Sequence, residues 1–582
     1  MILQALTRLF EDLVQQGKIA RPGWGPAKIS YALCLDENGM LESVVPQLTE
    51  VQVGKKTQLR PTPMELPAAV TRSSGILPNF LWDNSSYLLG VRKKEKSEKP
   101  ERAERIIACF QASRERHHQL LDDIQTPAAK AILAFFDTWN PKEAQNHPAL
   151  ADCWQDIISG GNLVFRVNGS FAQEDPEIRD AWNASYGESQ GQRQQCLVTG
   201  KMDVPEAVHP TIKGVAGAQS SGAAVVSFNA PAFCSYGKEQ SLNAPVGKYA
   251  AFAYTSALNY LLADRENVHR IGDTTVVCWA EGAEPQYDFF AGMSLFGDKP
   301  PEGLTDNDLR SALRNLAQGL PCEELSLDPN RPFYILGLAP NAARLSVRFF
   351  YRDSFGTLMK NVNDHYRRME IVGSRYTIVP LWALLRETVN LNMTDKSPSP
   401  ILAGATARAI FQGTPYPAAL MEAVMLRIRA EREITPGRAA ILKAYYLKKL
   451  ENSDPENMKE VLTVSLNENS TNVPYTLGRL FAVYERVQKA GNENLNTTIK
   501  DKYFNSASAT PAIIFPILDN LDQKHLRKLN PKLQSYFDDR IAALKNVLGE
   551  CYPIRLSLPE QGSFNLGYYH QKQYDYTSKE DK

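Results

Sequence analysis

From about Ile401 to the last residues, strand signals nearly vanish and helical periodicity takes over. The runs AALMEAVMLRIRAER (418–432), GRAAILKAYYLKKL (437–450), TLGRLFAVYERVQKA (476–490) and DRIAALKNVLGE (539–550) repeat apolar residues every three or four positions. That is the period of an amphipathic helix. Leu477, Leu480, Phe481 and Tyr484 form one stripe, and Ile541, Leu544, Val547 and Leu548 another. Such faces must bury against each other, so the C-terminal part is expected to be a helical bundle. The polar tail after Tyr574 is expected to be disordered.

The preceding sequence reads differently. LVFRV (163–167), AAVVSF (223–228), TTVVCWA (274–280) and RLSVRFF (344–350) are rich in the β-branched and aromatic residues of strands. AAFAYTSALNYLLADREN (250–267) reads as a packed helix between them. Short strands with a turn at Asp36–Gly39 are expected between Tyr31 and Val53. A charge run at 92–105 leads into helical spacing over 103–158. At the start, Leu3, Leu6, Leu9, Phe10 and Leu13 share one helix face, opposite Arg8, Glu11 and Asp12. A chain of 582 residues exceeds what one core serves. The expected fold is therefore α+β and multidomain. An N-terminal α+β region (1–160) and a strand-rich region (161–400) precede the helical bundle (401–582), with a boundary near 458 where Asp454-Pro455 breaks the helix.

Several function classes are disfavoured. Charges interrupt the first helix too early for a signal peptide, and no stretch of 18 uncharged apolar residues exists. Eight cysteines stand at least 38 residues apart, without CxxC pairs, which fits a reduced cytosol better than a disulfide framework. Gly200-Lys201 and Gly237-Lys238 lack the P-loop frame, GAQSSG lacks the nucleophile-elbow spacing, and HExxH is absent. His117-His118 with Asp122-Asp123 reads as the exposed face of a helix. Cys196 and His209 read as structural residues rather than a nucleophile pair. No catalytic residue, metal ligand or cofactor is expected.

Two segments look suited to nucleic acid. Residues 331–449 carry 18 Lys plus Arg against 8 Asp plus Glu in a chain of zero net charge, a candidate phosphate-facing surface. In RLSVRFFYR, the four-residue spacing of Arg344, Arg348 and Arg352 would place all three on one face of a strand. Residues 196–262 set Gly214, Gly217 and Gly222 among Lys213, Gln219, Ser220, Ser221, Asn229, Ser235, Tyr236, Lys238, Gln240 and Asn243. Glycines let a backbone approach a ligand closely, and such polar groups suit base edges or phosphates. The plainer alternative is a loop whose polar side chains satisfy its own turns.

This segment resembles the family of type I-C CRISPR-associated large subunits. The resemblance runs nearly the full chain. It is carried by PNFLWDNSSYLLGV (78–91), CLVTGK with HPTIKGVAGAQSSGAAVVSFN (196–229), AFCSYGKEQSLNAP (232–245), TTVVCWAE (274–281), FYILGLAPNAARLSVRFF (333–350), ILAGATARAIFQGTPYP (401–417) and FNLGYYHQKQ (564–573). Lys201 departs from the pattern, where an acidic residue is expected after CLVTG. The resemblance implies a non-catalytic Cascade subunit in the cytoplasm, with no membrane contact. Its partners would be crRNA, a repeated backbone subunit, the subunit holding the crRNA 5′ handle, a small subunit, double-stranded target DNA and a recruited helicase-nuclease. It would read the PAM, help open the duplex to form the R-loop and hold the displaced strand, while guide pairing reads the remaining sequence. By analogy, Lys213, Gly217, Gln219, Ser220, Ser221 and Asn229 would face the PAM. Lys238, Gln240, Asn243, Arg344, Arg348 and Arg352 would meet nucleic-acid backbone. The bundle resembles the Cascade small subunit, which in this subtype is typically a separate product of internal translation. Met421, Met425 and Met458 are the candidate starts. A nuclease or hydrolase with an unrecognised site, or a scaffold touching only protein, are the competing readings.

Overall fold

The computed structural model describes all residues except 1, 54–55, 71–74, 94–99, 188–191, 229, 266, 302, 377, 391, 395, 452–455, 493–494 and 581–582. Asn229, Asp454-Pro455 and residues 94–99 of the 92–105 charge run therefore lie outside the described residues. The fold is α+β, in two compact units. Residues 3–210 and 228–257 form the first, and residues 211–227 and 258–582 the second.

In the first unit, helix Ile2–Gln15 buries Leu6, Leu9, Phe10 and Leu13 and exposes Arg8 and Glu11. Phe10 meets Tyr249 and Phe252 edge-on. One sheet is ordered Leu41–Pro46, Tyr31–Leu35, Asn162–Val167, Trp82–Asn84, with Ser170–Phe171 also paired to Asn162–Val167. Its central pair is parallel, Tyr31 opposite Leu163. A second sheet orders Trp24–Ile29, Lys56–Pro67 and Leu48–Val53, all antiparallel. Helices Pro100–Leu121 and Pro127–Thr138 contribute Phe110, Phe135 and Phe136 to a core with Phe80, Phe165 and Trp182.

His117 belongs to that core, contrary to the surface reading of its pair. It is fully buried, with its ring 4.7 Å from Phe136 and 5.2 Å from Phe80. Its Nδ1 lies 2.7 Å from the Ser113 carbonyl, and its Nε2 accepts the Leu81 backbone N–H at 3.0 Å. Leu81 has φ of 66°, a left-handed conformation rare for a bulky residue, and its N–H ends on that nitrogen. His118 keeps the surface role, bonded to Asp122 and Asp137 at 2.7 and 3.2 Å.

The second unit is built on an antiparallel meander of His269–Ile271, Thr274–Ala280, Pro332–Asn341 and Arg344–Ser354. Ile335, Phe349 and Tyr351 from the sheet share one continuous core with Phe411, Leu442, Phe481 and Phe564 from the helices beyond it. At the centre of the helical part, Val473–Ala490 crosses Leu558–Glu580. A Cβ on Gly478 would sit 2.0 Å from the Phe564 carbonyl oxygen, and one on Gly567 2.0 Å from that of Tyr475. The backbones are in contact there because neither residue has a side chain.

Three expectations are corrected in this region. Val547 is 39 % exposed, while Ile541, Leu544 and Leu548 of its stripe are buried. The tail is helical to Glu580, and buried Asp575 is held by Arg486 at 2.8 Å and Arg540 at 3.2 Å. AAVVSF makes no strand: only Ala223 and Ala224 pair, in two isolated bridges.

Candidate nucleic-acid interface

The 196–262 segment is divided between the units. Residues 211–227 belong to the second, where they form a clasped loop. Ile212 and Ala223 exchange both backbone hydrogen bonds at 2.9 Å. The chain then hooks onto the end of the sheet: Ala224 N–H donates to the Ala343 carbonyl, and Leu345 N–H donates to that of Ala224. Inside the clasp, Ala218 N–H bonds Val215 O and Gly222 N–H bonds Gln219 O, giving two successive tight turns. Gly217 has φ of 77°, which the third position of the first turn demands. A Cβ on Gly222 would lie 2.8 Å from Thr211 Cβ. From outside the clasp, Asn259 accepts the Lys213 N–H and donates to Thr211 O, and Thr275 Oγ1 accepts the Ala216 N–H.

The loop's backbone is thus braced by its own turns and by Asn259 and Thr275. Its polar side chains take no part in that bracing. Lys213, Gln219, Ser220 and Ser221 are exposed, and so is Gly217.

In the first unit, the segment makes two further turns. Cys196 is buried in the tight turn through Gly200, its sulfur accepting N–H groups of Val198 at 3.4 Å and Gly247 at 3.2 Å. Burial alone would raise its thiol pKa. Hydrogen bonds from Thr199, Gly247 and Val198 outweigh that and hold it below the ordinary value. His209 is bonded through Nδ1 to Tyr254 at 2.7 Å, and burial lowers its pKa to about 4. No hydrogen bond joins Cys196 to His209 among the described residues. Lys201 is exposed at the end of the turn.

The second turn is Ser235–Asn243. The Asn243 amide accepts the Ser235 N–H and donates to the Lys238 and Gln240 carbonyls, each within 2.9 Å. That side chain is spent on shaping its own loop. Lys238 and Gln240 remain exposed. Tyr236 is held at φ of 54° and is 100 % exposed.

The basic 331–449 segment spends part of its surplus internally. Arg438 is buried against Glu431 and Glu387, and Arg368 and Lys448 meet Glu451. Arg348 is 2.9 Å from Asp273. The single-face expectation for Arg344, Arg348 and Arg352 fails in part. The register skips Arg348, with Leu338 opposite Val347 and Gly337 opposite Phe349. That bulge breaks the alternation, so that Arg344, opposite Asn341, and Arg352, opposite Tyr334, fall on different faces. Four further cations, Arg310, Arg314, Lys360 and Arg367, line one cleft of the second unit. Total charge along the chain does not single them out, although their spacings of four and seven residues would place each pair on one helix face.

A model of the CRISPR-associated protein family Cas_Csd1 matches residues 6–576. The chain belongs to this family. A Cas_Csd1 protein is a CRISPR-associated Cascade component, which works in a complex with other Cas proteins and crRNA. No curated protein matches the chain. Among the described residues of this Cas_Csd1 protein, no helix is long and apolar enough to cross a membrane.

Proposed function

We propose that this Cas_Csd1 protein is the large subunit of a type I-C Cascade. In this reading it recognises the PAM on double-stranded DNA, helps form the R-loop, recruits the helicase-nuclease and catalyses no reaction itself. The observation that carries the reading is the clasped loop Ile212–Ala223. Its backbone is closed by its own hydrogen bonds, so Lys213, Gln219, Ser220 and Ser221 stand exposed on a preorganised support. One cation, one amide and two hydroxyls on small backbone suit a groove edge, where amide and hydroxyl groups read bases and the ammonium meets phosphate. Preorganisation also lowers the entropy lost on binding.

Tyr236 has a complementary role in this reading. A fully exposed ring on a turn braced by Asn243 offers a stacking platform for a base that has left its pair. Residues 458–582 are additionally proposed to occur as a free small subunit translated from Met458.

The test is the assembled complex carrying Lys213→Ala and Gln219→Ala. Its affinity for PAM-bearing duplex should fall by about 1–3 kcal/mol for each of the two side chains truncated, with a relaxed PAM preference. Unchanged affinity and preference would refute the assignment.

A further inference from the structure

Helix Pro511–Leu526 of the second unit turns Pro511, Phe515, Leu518, Asp522 and Leu526 inward. Their spacing of three or four residues is that of a core stripe. Four of the five are apolar, and the other is a carboxylic acid. Asp522 is 3 % exposed, and its Oδ1 is buried with no hydrogen-bond partner among the described residues. The donors nearby are spent on Asp519, one turn earlier on the same helix. Asp519 accepts the hydroxyls of Tyr484 and Tyr552 and holds the Lys545 ammonium, the last two at 2.9 Å. Asp538, on helix Pro531–Leu548, adds a further negative charge. Lys545, Asp519, Asp538 and Tyr484 are the ionisable groups that act on Asp522 among the described residues. A buried carboxylate without a donor is costly, whereas the neutral acid is tolerated. Burial raises the Asp522 pKa to about 7, against the pull of Lys545 and with the push of Asp519 and Asp538. The helix is also weakened from within. Pro516 cannot donate the backbone hydrogen bond expected at its position, and Ile513 and Ile517 pack on nothing and stay exposed.

We propose that Asp522 is a pH-sensitive latch, whose neutral acid lets helix Pro511–Leu526 dock in the bundle and whose carboxylate favours its release. The docked helix keeps a proton that the released helix gives up above about pH 4. Docking is therefore firmest in acid and weakens as pH rises, by up to about tenfold per unit. The weakening stops once the docked carboxyl itself ionises, near 7. His525, in the last turn of the same helix, works in the opposite direction. Burial and Lys528 lower its pKa, so it loosens the helix as pH falls. Buried histidines elsewhere, such as His117, share that sign. The latch is thus isolated by a measurement local to this helix, compared with and without the Asp522 carboxyl.

The experiment is hydrogen–deuterium exchange of the full chain, read in peptides covering residues 511–526 and corrected for the intrinsic pH dependence of exchange. Opening of the helix should rise by about tenfold or more between about pH 5.5 and 7.5 and level off by about pH 8.5. Asp522→Asn, close in shape to the neutral acid, should remove the rise. Asp522→Leu completes the apolar stripe and should do the same, which keeps the test valid if the amide disturbs folding. Infrared difference spectra between the wild type and Asp522→Asn should show the C=O stretch of a neutral carboxyl group at about pH 5.5 and lose it by about pH 8.5. Opening that does not rise with pH in the wild type, an equal rise in the two variants, or a carboxylate signal from Asp522 at about pH 5.5 would each overturn the proposal. No nucleic acid enters these measurements, so their outcome is independent of the PAM assignment.

Discussion

Asp273 holds the guanidinium of Arg348 at 2.9 Å, on the strand where Arg348 occupies the bulge. The two side chains are each more than a third exposed, so the pair itself is worth less than about 1 kcal/mol. Its effect is on availability, because an arginine facing a carboxylate must give it up before meeting phosphate. Arg352 makes no such pair among the described residues.

Charge reversal should therefore separate the two arginines. Arg352→Glu in the assembled complex is expected to weaken binding to all DNA sequences alike and to flatten the salt slope. Arg348→Glu is expected to act less on DNA and to cost some stability through repulsion from Asp273. Salt-dependent affinities and thermal melts of both variants check this. Loss of PAM discrimination alone, with the salt slope intact, would rule out phosphate tracking by Arg352.

Acid should destabilise the protein through its buried histidines. Burial lowers His117 and His570 from the ordinary 6.5 to about 4, and His365 to about 3. The folded state refuses protons that the unfolded chain accepts below pH 6.5. Stability is thus full above 6.5 and is lost progressively as pH falls toward 4. His117→Phe removes the acceptor of the Leu81 N–H and should cost about 1–3 kcal/mol at neutral pH. The same variant should lose less than the wild type between pH 6.5 and 4. Denaturant unfolding at several pH values measures both effects.

Glycine substitutions should divide sharply by position. Gly478→Ala and Gly567→Ala force a methyl into a backbone carbonyl, with an expected cost of roughly 2–4 kcal/mol each. Gly404 lies inside a helix, and a Cβ there meets nothing within 4 Å. Gly404→Ala is expected to gain about 0.5–1 kcal/mol. Melting temperatures of the three variants provide the comparison.

Tyr236→Ala should leave the melting curve unchanged, since the side chain is wholly exposed. In the assembled complex it should weaken binding to DNA that carries an unpaired base by about 1–3 kcal/mol. Tyr236→Phe should retain wild-type affinity. Equal affinity of the alanine variant would exclude stacking.

Intact mass measurement of the complex expressed from its native gene tests the Met458 start. A species beginning at Met458 should be present, and it should vanish when the upstream ribosome-binding sequence is changed synonymously. A complex of full DNA affinity without that species would exclude the free subunit.

The helical elements were legible because their apolar spacing survives burial. The stripe Leu477, Leu480, Phe481, Tyr484 is wholly inside. Where tertiary contacts decide, local pattern misled. AAVVSF has strong strand propensity, but it reaches the sheet at the hairpin turn, so one residue finds an edge to pair with. The tail after Tyr574 looked too polar to order, yet Asp575 is fixed by Arg486 and Arg540, two partners distant in sequence. His117 looked superficial beside His118 because nothing in its surroundings announces the Leu81 N–H it accepts. At the candidate interface, the loop composition singled out a polar, glycine-rich segment. It could not reveal that Asn243 braces its own turn, or that Arg348 is opposed by Asp273.

The closing FNLGYYHQKQ carried much of the resemblance to the family, yet Phe564 to Gln571 are buried within the bundle. Gly567 sets the distance between two crossing helices, and Phe564 and Tyr568 fill the space around it. A segment so enclosed has little freedom to drift, whatever the subunit recognises. Such a stretch works as a fingerprint: it identifies a lineage through the interior, while ligand-reading surfaces can be rewritten to suit a new target sequence. Searches keyed to it would gather relatives by architecture and would be blind to differences in what they bind.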